Sequence, residues 1–145
     1  MDNIRPLKET EIDQIIEIWI TGSIKAHNFI DKEYWESKKM DMKTMYIPMS
    51  KTFIIQENEK IVAFISMIDH YLAALFVHID YQKKGYGKSL LQYIKLHKDI
   101  VKLKVYQKNK NAVKFYLNNG FVIKEELFDE HTSEKELLMS WQKSK

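Results

Sequence analysis

Residues 82–91, Gln82-Lys83-Lys84-Gly85-Tyr86-Gly87-Lys88-Ser89-Leu90-Leu91, have the composition of a turn that grips an anion and runs straight into a helix. Gly85 and Gly87 let the backbone turn its N–H groups toward a phosphate. The helix that Leu90, Leu91 and Ile94 would bury begins with unpaired amides and the positive end of its dipole. Lys83, Lys84 and Lys88 add mobile cations beside them. The chemistry this pattern suits is retention of a pyrophosphate. Alone, a Q-x-x-G-x-G string fits a Gly-rich surface turn equally well, so its neighbours must decide.

Upstream, residues 72–78 (Leu-Ala-Ala-Leu-Phe-Val-His) have the length and near-continuous apolarity of a strand buried on both faces. The turn therefore follows a strand and opens a helix. Downstream, Val101-Lys102-Leu103-Lys104-Val105-Tyr106 alternates with period two and predicts a second strand. A second helix follows, with Ala112, Phe115 and Tyr116 on one face, Asn109 or Asn111 as its cap and Gly120 as the left-handed residue that ends it.

The remaining elements frame this core. Residues 3–6 predict a short edge strand, and Thr10 caps a helix with Ile12, Ile15, Ile16, Trp19 and Ile20 on one stripe. A further helix starts at Asp31 and stops before Pro48. Residues 51–57 and 61–69 predict two antiparallel strands joined across Glu57-Asn58-Glu59-Lys60, and 121–128 and 135–141 a final pair. The predicted order is β-α-α-β-β-β-α-β-α-β-β. It implies an α/β (α+β) fold in which one mixed sheet carries helices on both faces.

Leu75-Phe76-Val77 before the turn, Gln82-x-x-Gly85-x-Gly87 in it and Asn109-x-x-Ala112-x-x-Phe115-Tyr116-x-x-x-Gly120-Phe121 after it together resemble the GCN5-related N-acetyltransferase (GNAT) family. The flanks Ile18-Trp19, Ala26-His27-x-Phe29-Ile30 and Met139-Ser140-Trp141 resemble its small bacterial members described as protein lysine acetyltransferases. The resemblance implies a GNAT-like acyl-CoA N-acyltransferase fold with splayed central strands. It also implies acetyl-CoA as co-substrate and an amine acceptor, either a protein lysine, an N-terminal amine or a small molecule.

Residue roles follow from the same resemblance. Gln82, Lys83, Lys84, Gly85, Tyr86, Gly87 and Lys88 form the pyrophosphate cradle, chiefly through main-chain amides. Leu75, Phe76 and Val77 supply main-chain contacts to the pantetheine, with the N–H of Phe76 or Val77 facing the thioester oxygen and their side chains in the core. Asn109 bonds the amide arm of the cofactor, caps its helix, or does both. Tyr116 matches the general acid, and a phenol near pKa 10 suits a thiolate leaving group, although a buried core tyrosine fits the same face.

The base departs from the family pattern. Where many members carry a mid-strand glutamate, this chain has Lys104. His27, Asp69, His70, His78 or a water chain remain as proton acceptors, and His27 is the choice carried forward, with Tyr116, as a catalytic residue. Residues 22–48 and 128–135, expected on the acceptor side, show no single charge sign that would select an acceptor.

Composition bounds the rest. A chain of 145 residues, 45% hydrophobic, is long enough for one domain with a real core, spanning 1–145. It contains no cysteine, which removes disulfides, thiolate metal sites and a cysteine-acyl intermediate; no metal is expected, and acetyl transfer must be direct. The amino terminus lacks the order of a secretion signal and no apolar run has the length of a membrane span, so a cytoplasmic protein acting away from membranes is expected. A net charge of +3, with lysines spread among acidic residues, does not call for nucleic acid. Oligomeric state stays open between monomer and homodimer. Two other function classes stand beside the enzyme: a non-catalytic acyl-CoA sensor, made thinkable by Lys104, and a basic nucleic-acid module built on Lys83, Lys84, Lys88 and Tyr86.

Overall fold

The Val/Ile/Phe-rich runs become seven strands, and the apolar stripes become helices, in a computed structural model that describes residues 3–144. In chain order these are β1 (Ile4–Pro6), a 3-10 turn (Glu9–Glu11), α1 (Ile12–Ala26), α2 (Lys32–Asp41), a π turn (Met42–Tyr46), α3 (Ile47–Met49), β2 (Lys51–Glu57), β3 (Lys60–Ile68) and β4 (Tyr71–Val77). After a 3-10 turn (Ile79–Tyr81) come α4 (Tyr86–His97), β5 (Ile100–Tyr106), α5 (Lys110–Asn118), β6 (Val122–Asp129) and β7 (Glu134–Gln142). The sheet order is β1-β2-β3-β4-β5-β7-β6, with β4 and β5 parallel and every other neighbour antiparallel. This is the predicted order of strands and long helices.

Two helix ends differ from the sequence expectation. Thr10 lies within the 3-10 turn, and Glu11 takes the N-cap of α1. The carboxylate of Glu11 accepts both guanidinium arms of Arg5 (2.9 and 2.7 Å) and the Lys8 N–H (2.9 Å), charged bonds that tie the 3-10 turn back to β1 and make no side-chain cap on α1. Arg5 holds that carboxyl down to about 2. Nor does the second helix stop before Pro48. The π turn lets the Ile47 N–H reach Met42 O, and Pro48 then sits in the first turn of α3, where a missing N–H costs nothing.

Helices cover both faces. On one, Leu90, Leu91 and Ile94 of α4 and Tyr116 of α5 pack on Val101, Leu103 and Val105 of β5 and Ile65 of β3. On the other, Ile15, Ile16 and Trp19 of α1 and Trp35 of α2 pack on Ile54 of β2 and Phe64 of β3. Strand β3, central and covered twice, is buried at every position from Ile61 to Met67.

β4 breaks its own alternation. Its register with β3 shifts between Ser66 and Met67: Ser66 faces Ala74, whereas Met67 faces Leu72. Ala73 is therefore an extra residue, a β-bulge that bends the strand and increases its twist. The bulge also exchanges faces. Leu72, Leu75 and Val77 join the α4/α5 core, while Ala74 and Phe76 join the α1/α2 core.

Phe76 is seated by its neighbours on that second face. Its ring stacks on Phe64 at 5.9 Å, and a Cβ built on Gly22 of α1 would lie 2.7 Å from its Cδ1. Gly22 is thus a contact requirement in mid-helix, where alanine would otherwise be preferred by about 1 kcal/mol. Gly22→Ala is expected to destabilise the protein by about 1–2 kcal/mol in urea unfolding, because overlap with a ring wedged against Phe64 outweighs the helix gain. A stabilised variant would show that the ring can move aside without cost.

Candidate active site

The central opening originates where β4 and β5 part. They share one register position, Tyr71 opposite Lys102, reinforced by Lys102 N–H bonding His70 O at 2.9 Å. Beyond it comes the Ala73 bulge, and no further pairing of the two strands follows. Antiparallel alternation then fixes which main-chain groups face the gap. His78 N–H bonds Val62 O at 2.7 Å, so by the same register Phe76 directs its N–H and C=O to Phe64. Those of Leu75 and Val77 point into the opening. The expectation that either Phe76 or Val77 offers its N–H there is thereby narrowed to Val77, and Leu75 joins it. All three side chains are half-buried rather than fully inside the core.

The glycine turn stands at the wide end of the opening. Lys83 (φ 65°) and Gly85 (φ 86°) are both left-handed, a sequence of bends that turns successive amides to one side. Gly85 is the N-cap of α4, and Ser89 N–H makes the first helical bond, to Gly85 O at 3.0 Å. The amides of Gly87 and Lys88 precede that bond. A Cβ on Gly85 would touch nothing within 4 Å, so Gly85 is required for its backbone angle. A Cβ on Gly87 would sit 3.6 Å from Phe115 and 3.7 Å from Val77, on the floor of the opening.

Side chains of the turn divide. Gln82 Nε2 donates to Val77 O at 3.3 Å and ties the turn to the strand end. The Tyr86 ring is buried in the core, which leaves its main chain as its part of the turn. Lys84 places its ammonium 5.2 Å from the Tyr81 ring, and Lys83 and Lys88 are exposed.

Tyr116 comes from α5, Asn109 from its N-cap and His27 from the end of α1. Tyr116 is buried between the rings of Phe115 and Phe121, at 5.2 and 5.4 Å. Burial pushes its hydroxyl well above the ordinary value, and the nearby Tyr71 adds to the shift. Asn109 caps α5 by accepting Ala112 N–H on Oδ1 (3.3 Å), and its Nδ2 lies 3.3 Å from His27 Nε2. With Nδ2 as donor, Nε2 must accept, and the neutral ring carries its proton on Nδ1.

His27 itself is boxed in by aromatic rings: Trp35 stacked at 4.9 Å, Tyr106 edge-on at 5.2 Å and Phe29 edge-on at 5.8 Å. Burial brings it down to about 4, and both its Nδ1 and Trp35 Nε1 are buried without a hydrogen-bond partner. The structure thus brings His27 to Asn109 but in a weakly basic state. The other candidates lie at the ends of the opening. Asp69 and His70 are exposed beyond its closed end, about 16 Å of extended chain from Leu75 for His70. His78 Nδ1 accepts Asp80 N–H at 3.1 Å beside the glycine turn.

Segments 22–48 and 128–135 meet above β5 and β7. Tyr106 O–H donates to Asp129 at 2.8 Å, and the Tyr34 hydroxyl is pushed up by burial and by the charges of Asp129 and Glu136. Lys104 is exposed on the same sheet face as Tyr106. Tyr71, Tyr106, Asp129 and Glu136 were not singled out by sequence. Glu136 reads there as one polar member of an alternating strand, and only the pairing of β7 with β5 brings it to this face. Among the described residues no cluster of His, Asp or Glu could hold a metal, and no helix is long and apolar enough to cross a membrane.

A family model described as "Acetyltransferase (GNAT) domain" matches residues 48–123. The peptidyl-lysine N-acetyltransferase YiaC of Escherichia coli is 31% identical over 139 residues, covering 95% of each chain. Among solved structures, apo-form YjaB from Escherichia coli superposes with a TM-score of 0.84 at 22% identity, over 97% of both chains. The PaiA N-acetyltransferase of Thermoplasma acidophilum, solved in complex with coenzyme A, gives 0.81 at 20% identity over 99% of both. These two structural likenesses speak for the fold, and the sequence matches carry the family. The chain belongs to the GNAT acetyltransferase family.

Proposed function

We propose that this acetyl-CoA-dependent N-acetyltransferase acts on the ε-amine of lysine within a polypeptide. The observation that carries the reading is the parting of β4 from β5 at the Ala73 bulge, with the N-terminus of α4 following the end of β4 and Tyr116 packed in the core against β5. The polypeptide acceptor draws its support from the relatives named peptidyl-lysine N-acetyltransferases. The reading also places the chain in the cytoplasm, as a monomer or homodimer that engages neither nucleic acid nor membrane.

Acetyl-CoA supplies an acyl group activated as a thioester. Amides of the turn at Lys83–Lys88 hold its pyrophosphate, where the α4 dipole and three lysines favour negative charge. The edge groups of Leu75 and Val77 hold the pantetheine as an added strand, and one of these N–H groups faces the thioester oxygen. Asn109 keeps its orientation through two contacts and retains one amide hydrogen for the cofactor arm. Tyr116 protonates the departing sulfur. Burial makes the phenol a weaker acid, but the same dry surroundings raise the proton affinity of the thiolate.

His27 fits a positioning role better than a basic one. Taking up a proton would place a charge among Trp35, Tyr106 and Phe29, which burial opposes, and its Nε2 is already engaged by Asn109. Its Nε2 instead fixes the amide of Asn109.

Wild-type protein is expected to release thiol from acetyl-CoA in the presence of lysine peptides, and Tyr116→Phe to lower kcat at least about tenfold with coenzyme affinity unchanged by calorimetry. Unchanged turnover would remove Tyr116 from the chemistry, and affinity without turnover across a broad amine panel would favour the sensor. A pH series tests the histidine. Its native value lies below the unfolded one, so the unfolded chain binds the extra proton between pH about 6.5 and 4 and stability falls as pH drops through that window, by an amount on the order of 3 kcal/mol. His27→Phe should flatten this part of the urea-unfolding profile; an unchanged slope would assign it to other groups.

A further inference from the structure

Direct acetyl transfer needs a group that takes a proton from the acceptor ammonium; His27 is enclosed by rings and engaged by Asn109, Asp69 and His70 lie beyond the closed end, and His78 already accepts Asp80 N–H. One carboxylate meets the requirement. The register of β7 against β5 sets Glu136 opposite Tyr106 and Leu138 opposite Lys104. Paired residues share a sheet face, and Tyr106 packs against His27 and Trp35, so Glu136 lies on the α1/α2 face, one strand removed from the opening. It is half-buried, and among the described residues nothing donates a hydrogen bond to it.

Its surroundings are mixed. Lys104 and Tyr106 face it from β5, Asp129 from β6, Tyr34 from α2 and Tyr71 from β4. The Tyr106 hydroxyl is spent on Asp129, which leaves Glu136 as the uncommitted acceptor of the group. Burial first and Asp129 second raise its carboxyl above the usual range, and Lys104 opposes them. The Tyr71 hydroxyl lies in the field of Glu136, and that of Tyr116 in the field of Tyr71.

We propose that Glu136 is a catalytic residue, the base that receives the proton of the acceptor ammonium. The inference rests on the acetyltransferase reading. The ammonium gives one proton to the Glu136 carboxylate, and the neutral amine nitrogen forms a bond to the thioester carbonyl carbon as the carbon–sulfur bond breaks. The sulfur takes its proton from Tyr116, which regains one from the acylated nitrogen, and Glu136 returns the remaining proton to solvent. The products are an amide, a free thiol and one released proton.

The test compares wild type, Glu136→Gln and the double variant Glu136→Gln/Lys104→Glu in a thiol-release assay with acetyl-CoA and a lysine peptide from pH 6 to 10. Glu136→Gln should lose at least about thirtyfold in kcat/KM at pH 7, keep coenzyme affinity and melting temperature, and gain rate with pH as the acceptor deprotonates in solution. The double variant, with a carboxylate on the neighbouring strand of the same face, should recover part of the loss and return the pH profile toward that of wild type. A Glu136→Gln profile parallel to wild type and within about twofold of it would overturn the inference while leaving the acetyltransferase reading intact. A wild type with no turnover at all would overturn that reading, and this inference with it.

Discussion

Two parallel strands that should pair do so once and then separate, and the rest of the site is organised around that separation. Backbone edges inside a sheet are normally satisfied by a neighbour, and leaving them open is costly unless something else takes their place. Here the extra residue at Ala73 turns β4 away from β5 immediately after the Tyr71 and Lys102 pairing. The result is a stretch of β4 edge, at Leu75 and Val77, whose main-chain groups face no strand. The fold can sustain it because β4 stays paired with β3 on its other side at every position but Ala73, and because Phe76 is pinned between Phe64 and Gly22.

Electrostatics then differ along the gap. At the α4 end, left-handed Lys83 and Gly85, the helix terminus and exposed lysines gather amides and positive charge in contact with water. Around Tyr116, Tyr106 and His27 the surroundings are drier: the two phenols are raised and the imidazole is lowered, all chiefly by burial. Each shift favours the neutral form. A site of that kind holds neutral donors and acceptors ready for a charge that develops during reaction. Glu136 is the carboxylate at the edge of this dry region, close enough to water to return a proton.

Much of this was legible in the chain, for local reasons. The glycine turn, the Asn109 cap and the Phe115-Tyr116 face are short-range patterns, and the order of strands and long helices follows from periodicity and turn residues. What the sequence hid depends on pairing. Ala73-Ala74 looks like any small apolar pair inside a buried strand, so the bulge, and with it the choice of Leu75 and Val77 over Phe76, appears only in the register. Pro48 signals a helix stop by every local rule, and a π turn circumvents it. His27 offers the right side chain in the right segment, but its basicity is set by Trp35 and Tyr106, the latter nearly eighty positions away in sequence.

The central claim is that the open edge of β4 is the acceptor of an extended thioester carrier, and amide hydrogen exchange followed by NMR tests it residue by residue. The account predicts that Leu75 and Val77 exchange fast in the unliganded protein and slow by at least about tenfold when acetyl-CoA or coenzyme A is bound, while Phe76, already bonded to β3, is protected in both states. Leu75 and Val77 amides that are equally protected with and without the coenzyme, or that stay fast when it is bound at saturation, would contradict it.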